Sequence, residues 1–135
     1  MALVEWKEAY TVNIIEIDTQ HKKLVDLINE LHAALISGTG TKVLNKILND
    51  LVNYTLYHFD TEEKFFDLYE YPESAEHKKA HKDLVQQVAA LQKKHNDGEK
   101  VLTIDVMNFL RDWLQDHIVG TDKKFGPFLN SKGVF

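Results

Sequence analysis

The sequence predicts an all-α fold: an antiparallel up-down-up-down four-helix bundle with an N-terminal arm and a short C-terminal tail. Three observations carry that expectation. Apolar residues recur at helical spacing through four long stretches. The connections between the stretches are short, which makes antiparallel neighbours the economical packing. Two prolines and six glycines in 135 residues leave little room for linkers, and no repeat recurs at a solenoid period. The length fits one compact domain over residues 1–135.

The elements follow in order. Residues 1–17, with Trp6, Tyr10, Val12, Ile14 and Ile15, read as an apolar arm lying across the bundle. The first helix, at about 19–37, places Leu24, Leu27, Ile28, Leu31 and Leu35 on one face, with Lys22, Lys23, Asp26 and Glu30 between them. Asp18 is its expected N-cap, and Ser37-Gly38-Thr39-Gly40 its stop. The second helix, at about 41–69 from Thr41, carries Leu44, Ile47, Leu48, Leu51, Tyr54, Thr55, His58, Glu62 and Phe65 until Tyr71-Pro72 forbids continuation. Ser74 caps a third helix at about 75–95, with the stripe His77, His81, Leu84, Val88 and Leu91 and a stop at Asn96-Asp97-Gly98. The fourth, at about 103–119, opens at Thr103 or Ile104 and turns Val106, Met107, Leu110, Trp113, Leu114 and His117 inward before Gly120. The tail after Gly126-Pro127 is expected to be irregular, with Phe128 and Phe135 packing against the body.

Composition removes several classes of function. A formal charge of −5 counts against a phosphate-tracking nucleic-acid binder, which needs a basic stripe. Cysteine is absent, so disulfides, thiolate metal sites and cysteine nucleophiles are excluded, and any metal must take nitrogen and oxygen ligands. No apolar run approaches the roughly 20 residues of a membrane span, and the opening residues lack a basic region followed by an apolar stretch. The expectation is a soluble cytoplasmic protein with no membrane insertion.

The unusual figure is seven histidines. Five of them, His21, His58, His77, His81 and His117, fall inside the apolar stripes, and between them they come from all four helices. One such histidine reads as a hydrogen-bonded core imidazole. Five converging on one core cannot easily satisfy one another, because each unpartnered buried polar group costs about 1–3 kcal/mol. A metal site satisfies them together. His77 and His81 stand one helical turn apart and reach a common ion, and His58 and Glu62 repeat that spacing on the second helix. Glu63 is the neighbour rotated away and reads as solvated. Asp122 lies five residues after His117, past Gly120. Alone it is a surface aspartate in a Lys-flanked turn; beside a histidine cluster it is the acid that completes it. Imidazole and carboxylate ligands suit iron, and the affinity order also admits zinc or copper.

These residues resemble the hemerythrin ligand set in order, type and local spacing: His21, His58-x-x-x-Glu62, His77-x-x-x-His81 and His117-x-x-x-x-Asp122. Asp18-x-Gln20-His21-Lys22, His58-Phe59-x-x-Glu62-Glu63 and Trp113-Leu114-x-x-His117-Ile118 are similar to the surrounding family signatures, and the resemblance runs from Trp6 to about Lys124. One departure is Phe66, where many bacterial members have methionine. The resemblance implies two iron ions bridged by Glu62, Asp122 and an oxo or hydroxo group. It assigns His77, His81 and His117 to one iron and His21 with His58 to the other, which keeps an open position for dioxygen. An apolar pocket of Leu24, Phe59, Trp113, Leu114 and Ile118 would exclude water and protons, though each of these is equally readable as ordinary core packing. His32 and His95 have no ligand role in this pattern.

The implied function is reversible dioxygen binding, for oxygen storage or delivery to an oxygen-requiring enzyme, by a monomer that is not itself an enzyme. The alternatives are a sensor of oxygen, nitric oxide or iron, and an iron-handling di-iron oxidase. The oxidase class uses two Glu-x-x-His motifs, and this chain contains none.

Overall fold

In a computed structural model of the chain, four long helices form the bundle: α1 (Ile15–Ile36), α2 (Gly40–Tyr69), α3 (Ser74–Asn96) and α4 (Thr103–Asp116). A π-helical turn, His117–Asp122, follows α4 and leads into a fifth helix, α5 (Lys123–Ser131). The structure describes residues 4–38, 40–96 and 103–135, with the side chains at 40–42, 44, 95, 96, 103, 119 and 121 outside the description. The expected stop at Asp97-Gly98 and the side chains of Leu44 and His95 therefore lie outside the described residues. α1 packs against α2 and α4, and α2 against α3. No helix among the described residues is long and apolar enough to cross a membrane.

Gly120 does not stop the fourth helix as expected, for α4 gives way at Asp116 to the π-helical turn that runs through this glycine into α5; two further expected boundaries move. α1 begins at Ile15, three residues before Asp18, and its N-cap residue Ile14 makes no side-chain cap. Asp18 instead reaches backward out of the first turn, where its carboxylate accepts hydrogen bonds from the Thr11 hydroxyl and from the Val12 backbone N–H at 2.9 Å. An anion there also suits the positive end of the helix dipole. The second change is at the other terminus, where the tail is helical rather than irregular. Pro127 lies inside α5, at its fifth residue. An interior proline costs about 3 kcal/mol. Phe125 and Leu129 are both fully buried on the inner face of α5, and at about 1.5–3 kcal/mol each their burial offsets that cost.

The arm crosses the bundle as expected, with Val4, Tyr10, Val12 and Ile14 buried, but Ile15 points to solvent and is 76% exposed. Val4 is tied down by Asn29, whose side chain accepts from its N–H at 2.9 Å and donates to its carbonyl at 2.8 Å. Phe128 packs against the body, whereas Phe135 is exposed. Beyond Glu62 on α2 the fully buried aromatic is Phe66, and Phe65 is half-buried, because Glu62 to Phe66 is a full i, i+4 step along the buried face.

The buried residues are stacked in layers. One apolar cluster includes Leu24, Leu31, Leu51, Phe59, Leu84, Leu110, Leu114 and Ile118. A second holds Val12, Ile14, Ile17, Phe66, Tyr71, Phe125 and Leu129. Along α1 the buried polar residues between Ile17 and Leu24 are Gln20 and His21. On α2 Glu62 lies between Phe59 and Phe66, and in the last segment Asp122 stands between Ile118 and Phe125. The polar residues thus form a layer closed above and below by hydrocarbon.

The arm and α5 meet closely at Gly126, where a Cβ would lie 2.7 Å from the Val12 carbonyl oxygen. Gly126→Ala should therefore push the arm away and lower the unfolding free energy by about 1–3 kcal/mol, read from the urea midpoint. An unchanged midpoint would mean that the arm is not held against α5.

Candidate metal centre

Local geometry aims each polar side chain inward. His58 and Glu62 on α2, and His77 and His81 on α3, use the i, i+4 step that places side chains one above the other. His117 and Asp122 are five residues apart, which in an α-helix would turn them about 140° from each other. The π-helical turn, with its wider ring of backbone bonds, returns both to one face. That turn was not legible in the sequence, where Gly120 inside it reads as a helix stop.

All seven side chains are buried, and His21, His58, Glu62 and Asp122 are fully so. Glu62 lies at the centre, and its two oxygens face different partners. Oε2 is 3.2 Å from His58 Nε2 and 3.7 Å from His21 Nε2. Oε1 is 3.0 Å from His81 Nε2, 3.4 Å from His77 Nε2 and 3.7 Å from His117 Nε2. Both Asp122 oxygens also face histidines but group them otherwise, with Oδ1 3.0 Å from His77 Nε2, and Oδ2 2.6 Å from His21 Nε2 and 2.8 Å from His117 Nε2. Two overlapping groups of donor atoms result. One contains His21, His58, Glu62, His117 and Asp122, and the other His77, His81, His117 and Asp122. His117 and Asp122 belong to both.

His21 Nε2 is hydrogen-bonded to Asp122 Oδ2, but most of the other donors lack partners within the protein. His58 Nε2, His77 Nε2, His81 Nε2, His117 Nε2, both Glu62 oxygens and Asp122 Oδ1 are all buried without a hydrogen bond. An unfilled layer of this kind would cost several kcal/mol, at about 1–3 kcal/mol per group. Cations coordinated by imidazole nitrogen and carboxylate oxygen satisfy all of them, so the residues fit a two-metal site.

Two contributors beyond the expected ligands emerge. Gln20 is buried, and its Oε1 accepts from His58 Nδ1 at 2.7 Å while its amide donates to Thr61 Oγ1 at 3.2 Å. This holds His58 with Nε2 facing the cluster. Glu63 is partly exposed, but it is not turned away from the cluster as expected, for its Oε2 lies 3.5 Å from His81 Nδ1. Both stand in the signatures that carry the family resemblance, Gln20 before His21 and Glu63 after Glu62, but nothing in the sequence assigned either a role.

The surrounding apolar residues also touch the cluster. Phe59 stacks on His81 with centroids 3.7 Å apart, and Trp113 stacks on His117 at 4.9 Å. Leu24, Phe59, Leu114 and Ile118 are buried in the same apolar cluster, with Trp113 half-buried against it. Phe66 sits on the opposite side, its ring 4.7 Å from that of His77. His32 lies on α1 outside the converging set.

Electrostatics follow from this packing. Burial works against a charge on His58 and His77, but the two carboxylates outweigh it and raise each to about 9. His21 is raised for the same reason. At His117 burial prevails over the pull of Asp122, and its pKa falls. Glu62 and Asp122 are lowered, because the surrounding imidazoles overcome the effect of burial. In the metal-free protein, stability from His58 and His77 is fully present below pH 6.5 and is lost as pH rises through about 9. Stability from the two carboxylates is present above their ordinary values of 4.5 and 3.8 and is lost as pH falls through their lowered ones. Metal ligation requires neutral imidazoles. Loading at pH 7 should therefore release protons from His58 and His77, and apparent affinity should rise toward pH 9. A pH-stat titration reads this directly, and loading without proton release at pH 7 would contradict the charged state described here.

The chain matches a family model described as the hemerythrin HHE cation binding domain over residues 12–129. It is 38% identical over 132 residues to a bacteriohemerythrin from Methylococcus capsulatus, covering 97% of this chain and 100% of the relative. A bacteriohemerythrin from Stenotrophomonas maltophilia is 31% identical, with 93% of this chain and 80% of the relative covered. A crystal structure of wild-type hemerythrin superposes with a TM-score of 0.86 at 38% identity, over 93% of this chain and 97% of that one.

Proposed function

The chain belongs to the hemerythrin family, and from that premise we propose that it binds dioxygen reversibly at a non-haem di-iron centre, as a carrier for storage or delivery rather than as an enzyme. The observation that carries the proposal is the buried layer of histidine and carboxylate atoms left without partners. His21, His58, Glu62, His77, His81, His117 and Asp122 would hold the two ions. When bound, the iron pair supplies the two electrons that dioxygen takes up on binding and returns on release.

The chain's own residues do the rest. Each oxygen of Glu62 faces a different set of histidines, His21 with His58 on one side and His77, His81 and His117 on the other. This supports a bridging role for Glu62 and a division of two against three. Asp122 supports a second bridge, since its two oxygens also face different histidines. The side with two histidines has fewer protein donors, and dioxygen would bind there. Gln20 keeps His58 in the tautomer that presents Nε2.

Leu24, Phe59, Trp113, Leu114 and Ile118 exclude water and protons, which would otherwise drive irreversible oxidation. Leu24 and Trp113 also line a narrow cavity of about 10 Å3 with Ile28, Leu51, Leu84 and Leu110. That volume is at the lower limit for one water, and hydrocarbon walls offer a water few hydrogen bonds.

Anaerobic titration with ferrous iron tests the proposal. Uptake should saturate at two ions per chain, and chelation should lower the melting temperature, because metal bound to the folded state at 1,000 times its dissociation constant adds about 4 kcal/mol. Saturation at one ion, or a melting temperature indifferent to chelation, would overturn it.

A further inference from the structure

We propose that Glu63 is a positioning residue for the centre: it accepts a hydrogen bond from His81 Nδ1, fixes that ring as an Nε2 ligand, and through its charge favours the oxidised state of the ion His81 holds. The inference rests on the di-iron reading above and adds to it a residue outside the ligand set.

Both ring nitrogens of His81 are buried without a hydrogen bond. Nε2 faces the cluster, 3.0 Å from Glu62 Oε1, so Nδ1 points outward and carries the hydrogen when Nε2 serves as the ligand. Stacking on Phe59, with planes 4° apart, fixes the plane of the ring but not its tautomer. The acceptor beside Nδ1 is Glu63 Oε2, at 3.5 Å. That is ion-pair distance, a few tenths of an ångström beyond a formed hydrogen bond. The Glu63 side chain is 32% exposed and so has freedom to close the gap. It stands in the wall of a groove of about 480 Å3 that also includes Asp60, Lys78, His81 and Lys82, and Lys78 in that groove is paired with Asp67 at 2.6 Å.

The other flank differs in chemistry. His58 Nδ1 is held by Gln20, a neutral amide. An anionic acceptor polarises an imidazole N–H more strongly than an amide does, which raises the basicity of the opposite nitrogen and stabilises the more highly charged metal. The two sides of the cluster are therefore held by unlike partners, an anion beside His81 and an amide beside His58.

The test uses the full-length iron-loaded protein and the variants Glu63→Ala, Glu63→Gln and Glu63→Asp, read by iron affinity in chelator competition, by reduction midpoint in spectroelectrochemistry, and by metal-free melting. Glu63→Ala should lower iron affinity by about 10–100-fold. Glu63→Gln should keep most of the affinity and shift the midpoint to more positive potential, and Glu63→Asp should restore both. Parental affinity in the alanine variant would overturn the positioning role, and a parental midpoint in the glutamine variant would overturn the charge effect. A metal-free melting temperature that falls in step with affinity would show a merely structural role and equally overturn the proposal. A parent protein that fails to bind two irons would instead overturn the di-iron reading, before any variant is compared.

Discussion

Glu62→Ala should yield a protein that holds at most one iron per chain and whose metal-free form is less stable at pH 7 by about 3–5 kcal/mol, the usual cost of removing one partner from a buried ionic cluster. The reason is its central place. Glu62 is fully buried, and its two oxygens together face all five histidines of the cluster. Without it, His58 and His77 lose a carboxylate that helps keep them protonated, and they must either deprotonate or remain charged in hydrocarbon. Both routes cost stability. Iron analysis combined with urea unfolding of the metal-free variant measures the two effects separately. Retention of two irons would show that Glu62 does not span the pair.

Leu114→Ala should act on lifetime rather than on loading. Leu114 is fully buried, follows Trp113, and stands one turn before His117 in the apolar layer beside the cluster. Truncation removes hydrocarbon without removing a ligand, so the variant should keep two irons while losing about 2–5 kcal/mol of stability. The space vacated admits water and protons to the centre. The visible charge-transfer band of the oxygenated protein should then decay faster than in the parent, as followed by stopped-flow oxygenation. Equal decay with folding and iron intact would make Leu114 ordinary core and move the pocket elsewhere.

The bundle was legible because its signals were local. His58 with Glu62 and His77 with His81 share a face at the α-helical step, and the hydrophobic stripes around them run in register for several turns. What escaped depends on contacts between elements or on departures from the α-helical period. His117 and Asp122 could be paired by family resemblance, but an α-helical wheel separates them, and only the π-helical turn brings them together. Gly126-Pro127 carries the local chemistry of a stop, yet the burial of Phe125 and Leu129 against the arm keeps that segment helical. Asp18 looked like a cap for the helix that follows it, whereas its carboxylate serves the arm that precedes it. The register of α2 alone turns Glu63 away from the face that carries Glu62. The neighbour of Glu63 is His81 on α3, a relation that no spacing within α2 encodes.

Reversible oxygen binding by the iron-loaded protein tests the central proposal most directly. The protein should be loaded anaerobically with ferrous iron, titrated with dioxygen and then degassed under vacuum. A visible charge-transfer band should grow to saturation at one dioxygen per pair of irons, vanish on degassing and return on re-oxygenation. A band that forms once and cannot be reversed, with oxygen consumed at each addition, would identify an oxidase and contradict the carrier function proposed here.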